Sequence, residues 1–433
     1  MEWYIQLAIV IAAVLCLLAI RVPLGFVFGI VGTAGIVLSS GLFQSIAIVQ
    51  QIHDILNDFV LITIPLFVFM AEILSMGGFI PDLYNSVEKI TGRIRGSLCI
   101  ATIVASAIFS AVCGSSYVTA ATLGRMTLPE MLARGYDKKL AAGSVAAGGS
   151  LGILVPPSLA FVIYGYMSGA SIASLFIAGI IPGLLLGTLF VLSIVIWIKI
   201  FPDKAGFGEQ VAWIDKLKSS YKVIPVCLLA IVLLVCIYLG VTTPAEAAAV
   251  GCIFSLLLCV VYRRMTLKIF FDALKRTISV SGFIFLLMCT AKILGFMMAK
   301  IGIMYGLQET LSAIPKWQFI LLLYITISIL GLFLEGNSII VLTTPIFAPA
   351  VSAIGMDLVW YGVILVLFIE IALLTPPVGM NCYIVAEVSK SFGIEIQEVF
   401  WGVIPFLAAL LVAVILVTFI PGLALWLPST MGQ

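Results

Sequence analysis

The sequence predicts an all-α polytopic membrane protein made of two related halves, and three observations carry that prediction. Of 433 residues, 63% are hydrophobic and only 10% charged, with a mean hydropathy of +1.27; a soluble domain carries roughly 25% charged residues. Apolar runs near 20 residues recur along the chain, each long enough to cross about 30 Å of hydrocarbon. The chain also repeats itself at an offset of 220 residues: Ser150-Leu-Gly-Ile-Leu-Val-Pro-Pro157 returns as Glu370-Ile-Ala-Leu-Leu-Thr-Pro-Pro377. At the same offset Ala71-Glu72-Ile73-Leu74 answers Ala291-Lys292-Ile293-Leu294, Pro129 answers Pro349, and Gly135 and Asp137 answer Gly355 and Asp357. Gly114-Ser115-Ser116 pairs with Gly336-Asn337-Ser338 after a slip of two residues.

Spans are expected at 4–20, 22–42, 55–76, 138–167 and 172–200, then at 221–240, 244–262, 278–300, 358–388 and 399–427. No Lys or Arg precedes the first apolar run, so residues 1–20 read as a span and not as a signal peptide. Stretches 97–134 and 318–350 are apolar but interrupted by Gly and small polar residues. Each is either two crossings or a hairpin that enters and leaves on one face, and both alternatives have the same parity. On the hairpin reading 18 Lys and Arg fall on one face and only Lys300 and Lys316 on the other. That asymmetry marks the first face as cytoplasmic and puts both termini outside the cytoplasm. Five full spans per half is an odd number, so the second copy is inverted relative to the first. The repeats are expected at 1–205 and 218–433. They are joined by the polar stretch Pro202–Tyr221, which carries Asp203, Lys204, Glu209, Asp215, Lys216 and Lys218.

The chemistry is expected where helices break. Gly114-Ser115-Ser116 and Gly336-Asn337-Ser338 stand midway through the two hairpins. Gly149-Ser150 with Pro156-Pro157, and Thr375-Pro376-Pro377 with Gly379, interrupt a span in each half. Proline removes a backbone donor and frees a carbonyl, which hydrocarbon tolerates only if it is buried or lines a cavity. Two symmetric pairs of breaks suggest at least two sites, each built from a hairpin tip and an unwound span. Their hydroxyls and free carbonyls suit Na⁺, and the half-helix N-termini favour an anion. Ser116, Asn337, Pro157 and Pro377 are the candidate substrate contacts. Paired broken helices and an inverted repeat point to an alternating-access carrier, with a passive organic-anion channel as the alternative.

Other classes fit poorly. The sole histidine, His53, reads as part of a polar loop beside Asp54. No HExxH or GxSxG motif occurs, so neither a metallohydrolase nor a serine hydrolase is expected. No Walker A loop occurs, and the basic residues belong to loops, so neither ATP coupling nor a nucleic-acid partner is expected. The nine cysteines sit in apolar stretches without a CxxC pair and read as packing residues.

Phe109-Ser-Ala-Val-Cys-Gly-Ser-Ser-Tyr-Val-Thr-Ala-Ala-Thr-Leu-Gly124, Pro129-Glu130-Met131 and Arg134-Gly135-Tyr136-Asp137 resemble the large membrane subunit of the tripartite ATP-independent periplasmic (TRAP) transporters. So do Ala178-Gly-Ile-Ile-Pro-Gly183, Thr243-Pro-Ala-Glu-Ala-Ala-Ala249, Gly331-Leu-Phe-Leu-Glu-Gly336 and the two Pro-Pro segments. The resemblance covers the whole chain; one departure is Ala372, where the family usually has Gly. It implies a sodium-driven importer of small organic acids in the bacterial inner membrane, with sialic acid the first expectation and a C4-dicarboxylate the second. It also implies two partners, a periplasmic substrate-binding protein and a small four-helix membrane subunit encoded separately. An elevator-type fold follows, with a moving domain at 97–200 and 318–427, a scaffold at 1–76 and 221–300, and arms at 78–96 and 301–317.

Charges within the spans cost roughly 2.5–3.5 kcal/mol each at a helix centre, so each needs a reason. Glu72 and Lys292 occupy equivalent positions, and an ion pair within the scaffold, a contact to the small subunit and a place in the substrate path all stay open. Glu335 and Glu370 flank the second cation site as ligands or as hydrogen-bonding helix anchors. Arg125 either attracts a substrate carboxylate or extends its head group to the cytoplasmic face.

Overall fold

A computed structural model describes residues 2–208, 212, 215, 216, 219, 221 and 223–431. The expectations placed on Glu209, Lys218, Lys222 and the first residue of the second repeat fall outside the described residues. Among the described residues the structure is helical, and the extended pairing seen is an isolated bridge between Arg95 and Phe207.

The first half runs α1 (Trp3–Ala19), α2 (Leu24–Ser40), α3 (Ile46–Leu56), α4 (Thr63–Met76), α5 (Phe79–Thr91), α6 (Ser97–Cys113), α7 (Ser116–Ala133), α8 (Lys138–Leu154), α9 (Leu159–Ser168) and α10 (Ile172–Ile200). The second runs α11 (Ile224–Tyr238), α12 (Pro244–Val261), α13 (Leu267–Lys300), α14 (Ile303–Ala313), α15 (Lys316–Gly331), α16 (Gly336–Ala353), α17 (Leu358–Leu374), α18 (Met380–Ser389), α19 (Ile396–Phe419) and α20 (Gly422–Ser429). Shifted by 220 residues, α7 and α16 begin and end at the same positions, and so do α8 and α17.

The duplicated residues explain this coincidence. Gly135 (φ 76°) follows α7 and Gly355 (φ 70°) follows α16, both left-handed. The next amide reaches back in each case, from Tyr136 to the Met131 carbonyl and from Met356 to the Val351 carbonyl, at 3.0 Å. That is the Schellman closure, which glycine permits without a Cβ penalty. Asp137 then accepts from the Lys139 and Leu140 amides (3.0 and 3.3 Å), and Asp357 from those of Val359 and Trp360 (2.7 and 3.0 Å). The repeated Gly-x-Asp is therefore one helix stop followed by one N-cap.

Some boundaries differ from the sequence expectation. The stretch 55–76 divides: α3 ends at Leu56, and Asp58 accepts from the Val60 amide (2.9 Å) to turn the chain into α4. His53 lies in α3, not in a loop. Its counterpart in the other half, expected at 278–300, is the continuous 34-residue α13, which starts where Thr266 caps the Ile269 amide (3.2 Å). The expected span 399–427 is α19 and then α20, separated at Pro421, which has no N–H to carry the helix on.

Packing gathers the helices into two groups. In one, α2 lies along α13, α4 packs on α12 and α13, and α1 and α11 flank them. Gly25, Gly29 and Gly32 of α2 face Leu286, Thr290 and Leu294, and a methyl at Gly32 would come within 2.9 Å of the Leu294 nitrogen. Small residues allow such close approach where lipid supplies no hydrophobic drive between helices. The other group surrounds α8, which touches α6, α7, α10, α17, α18 and α19 and is almost wholly enclosed. There Gly143 of α8 and Gly402 of α19 meet backbone to backbone. The groups touch where α4 meets α6 and α9 and where α13 meets α16.

A side chain at residue 143 has to displace the Gly402 main chain. Gly143→Val should lower the melting temperature of the detergent-purified protein, costing about 3 kcal/mol. Gly187→Ala, where a methyl meets nothing within 4 Å, should be neutral or stabilising by up to about 1 kcal/mol.

Candidate substrate cavity and cation sites

A cavity of about 470 Å³ lies where the two helix groups meet, within the usual size of a small-ligand site. Gly114, Ser115, Ser116, Tyr117 and Val118 bring the first hairpin tip to it, and Glu335, Gly336 and Asn337 bring the second. Ile153 and Leu159 flank the α8–α9 break, and Leu373 precedes the break after α17. The facing wall is Val68, Ala71 and Glu72 of α4 with Ser279, Val280, Phe283 and Ile284 of α13.

At the first junction the hairpin tip beds into the broken span. Gly114 is left-handed (φ 60°) and closes α6; a Cβ there would sit 3.2 Å from the Pro157 carbonyl oxygen and 3.3 Å from the Leu159 nitrogen. Beneath it a Cβ at Gly152 would come 2.6 Å from the Ser116 nitrogen, and one at Gly149 would meet Ala120. The Ser116 hydroxyl donates to the Ser150 carbonyl (3.3 Å), the Thr119 hydroxyl to the Ser115 carbonyl (2.9 Å) and the Ser158 hydroxyl to the Ile153 carbonyl. Pro156-Pro157 is a cis bond, and both prolines are buried. The tip thus packs on Ser150 and Pro157, but of these residues Gly114, Ser115 and Ser116 line the cavity while Gly149, Ser150, Pro156 and Pro157 lie behind it. Buried hydroxyl and carbonyl oxygens of this kind are the donors that an alkali cation takes.

The second junction shares the chemistry but is laid out differently. Pro376-Pro377 is also cis, yet both prolines are exposed. The Thr375 hydroxyl donates back to the Ile371 carbonyl of its own helix (2.6 Å). Gly379, left-handed at φ 47°, starts α18. Gly336 lies over Ile369 and donates its N–H to the Tyr117 hydroxyl (3.4 Å), while Ser338 donates to the Glu335 carboxylate (3.3 Å). Asn337 and Gly336 line the cavity, but Thr375, Pro376, Pro377 and Gly379 do not. The hairpin tip meets α17 one to two turns short of the break, at Ile369, and Gly331 packs directly on the Ala372 methyl.

The embedded charges have other partners than the sequence suggested. Glu72 pairs with Arg276 (3.8 Å) and Lys292 with Asp54 (4.0 Å), so Glu72 and Lys292 do not pair with each other. Sixteen residues of α13 separate Arg276 from Lys292, about 24 Å of helix. Glu72 lines the cavity instead, as does Glu335. Glu370 is fully buried; its carboxylate faces the Ser150 hydroxyl and the Ile153 amide of α8 without a hydrogen bond of normal geometry. It bridges the two halves rather than flanking only the second site. Arg125 is exposed on α7, nine residues and about 14 Å past the tip, and does not line the cavity.

Sequence reasoning missed Tyr117, Arg276, Ser279, Phe283 and Asn381, the last fully buried with both amide atoms unpaired. A signal existed for three of them: 276, 279 and 283 follow the i, i+3, i+7 spacing of one helix face.

The sequence profile described as the tripartite ATP-independent periplasmic transporter, DctM component, matches residues 11–423. The C4-dicarboxylate TRAP transporter large permease protein DctM of Pseudomonas aeruginosa is 34% identical, over 90% of both chains. The sialic acid TRAP transporter large permease protein SiaM of Vibrio cholerae is also 34% identical, over 95% of this chain and 96% of its own. The isethionate TRAP transporter permease protein DctMQ of Oleidesulfovibrio alaskensis is 30% identical over 94% of this chain, which spans 64% of its length. In fold the chain is similar to the crystal structure of the Alcanivorax borkumensis YdaH transporter, with a TM-score of 0.63 and 14% identity over 90% of this chain and 89% of that one. The duplicated caps, the two hairpin tips facing one cavity and the family match agree: the chain belongs to the DctM family, the large permease component of the TRAP transporters, which work with a periplasmic binding protein.

Proposed function

We propose that this permease is a sodium-coupled importer of a small organic anion, which moves its substrate by sliding one helix group past the other. The cavity between the groups carries the reading. Among the described residues it is lined by two carboxylates, Glu72 and Glu335, and by no Lys, Arg or His. An anion entering beside two carboxylates needs cations with it, and the oxygen-rich hairpin junctions on either side are where Na⁺ would bind. Two or more Na⁺ with a monoanion carry net positive charge inward, and an inside-negative potential contributes about 2.3 kcal/mol per charge per 100 mV.

On this reading residues 97–200 and 318–427 move, 1–76 and 221–300 stay, and α5 and α14 are the arms between them. The clamping of α5 supports it. At one end Arg264 binds Asp82 (2.5 Å) and the carbonyls of Gly77 and Gly78 (3.2 and 2.9 Å); at the other Glu88 binds Arg134 of the first hairpin (2.9 Å). The halves form an inverted repeat in the bacterial inner membrane with both termini periplasmic. The cavity then opens toward the cytoplasm, because it lies along the N-terminal part of α13. A separate small four-helix subunit braces the static group. The named relatives handle a C4-dicarboxylate, sialic acid and isethionate, all small organic anions, and the first two are equally similar to this chain. Sialic acid is the first substrate to assay and a C4-dicarboxylate the second.

Proteoliposomes with this chain and its small subunit should accumulate labelled sialic acid or succinate only with an inward Na⁺ gradient and the loaded binding protein outside. Passive, sodium-independent flux in both directions would instead make it a channel. Ser116→Ala removes a buried hydroxyl at the first junction. It should raise the Na⁺ concentration for half-maximal uptake about fivefold, the equivalent of roughly 1 kcal/mol for one hydrogen-bonding group.

Orientation has its own check. Alkaline phosphatase fused after residue 431 should be active, and fused after residue 205 inactive; the opposite pattern would invert the proposed topology.

A further inference from the structure

A second cavity, of about 590 Å³, lies toward the other end of α13. Like the first it is shared between the groups: α3, α13 and α14 supply Gln51, Lys292 and Gln308, while α9 and α16 supply Tyr166 and Pro345. Lys292 is the one basic side chain among its lining residues, and its ammonium stands 6.0 Å from the centre of the Tyr166 ring. Its counter-ion, Asp54, is 4.0 Å away with 57% of its side chain exposed, the kind of solvent-screened pair that contributes little. Asp58 also lies near Tyr166. An ammonium held so loosely, in a cavity whose wall also carries Gln51 and Gln308 and that is large enough for a small ligand, is free to exchange its carboxylate partner.

We propose that this cavity is a receiving site for the substrate's carboxylate group, with Lys292 taking the charge in place of Asp54 and Gln51 and Gln308 donating to the remaining oxygens. The helix that joins the two cavities supports the assignment. Residues 279–284 of α13 face the first and residues 291–299 the second, about 20 Å apart along the axis. Along this rail Glu72 of the neighbouring α4 sets a carboxylate on the wall of the first cavity, and Lys292 of α13 itself sets an ammonium on the wall of the second. The proposal rests on the transport reading above, in which this end of α13 faces the periplasm and the incoming anion meets Lys292 before the central cavity.

The test is initial uptake by the complete reconstituted complex, titrated with binding protein loaded with labelled sialic acid or succinate. Lys292→Gln should raise KM at least fivefold, with the change in KM rather than in the maximal rate, and Lys292→Arg should restore it. Asp54→Asn frees the ammonium and should lower KM or leave it unchanged. If Lys292 only holds Asp54 in place, Lys292→Gln and Asp54→Asn will instead impair uptake alike, and that result, or an unchanged KM in Lys292→Gln, overturns the assignment. Wild-type complex that accumulates neither probe overturns the transport reading itself.

Discussion

The structure turns on one constraint: a helix broken in hydrocarbon leaves backbone groups that no water can satisfy. At the first junction protein satisfies part of it: the Ser116 and Ser158 hydroxyls donate to the Ser150 and Ile153 carbonyls. Gly114 packs closely on Pro157 and Leu159, and Gly152 lets the Ser115–Ser116 peptide lie directly on α8. That contact requires glycine on both surfaces, so α8 must be small along the face that meets the hairpin. Small residues there let α6, α7 and α19 crowd around it, and the enclosure of α8 follows. The polar tip is thereby held closely against the broken span.

The second junction shows the constraint met another way. Its prolines are exposed, the hairpin tip meets α17 at Ile369, and Gly331 rests on Ala372. The halves thus share helix limits to the residue in α7/α16 and α8/α17 but differ at their breaks. Tyr117 couples the two tips, accepting from Gly336 in one hairpin while belonging to the other.

Much of the fold was legible in the sequence because its determinants are local. Gly-x-Asp at 135–137 and 355–357 fixes a helix stop and a cap through the conformations of single residues. The Pro-Pro pairs mark breaks because proline lacks a donor wherever it stands. The hairpin tips announce themselves as polar residues in apolar surroundings. What stayed hidden depends on distance in space. The partners of Glu72 and Lys292 depend on how α3, α4 and α13 lie side by side, which no spacing within one helix reveals. Arg276, Ser279 and Phe283 share one face of α13, but that spacing marks a face without saying which helices stand opposite it. Arg125 misled because a lone cation in an apolar segment draws the eye, whereas nine residues of helix carry it clear of the tip.

Charge in the central cavity ties these elements into one cycle. Glu72 and Glu335 face the space between the tips, and Arg276 offsets only the first of them, at 3.8 Å. In a pocket poor in water, Coulomb energies are several times larger than in bulk, so an organic anion entering alone is repelled. On the sodium-coupled reading proposed above, cations seated at the hairpin junctions would reverse the sign of the field. Because coupling between sites is reciprocal, an anion in the cavity would then tighten the hold on those cations by the same factor by which they tighten its own. Coupling of this kind needs no dedicated linkage between sites, only that the cations and the anion share one cavity wall. A cavity with its own lysine would attract the anion without sodium, and among the described residues no lysine lines the cavity between the hairpin tips.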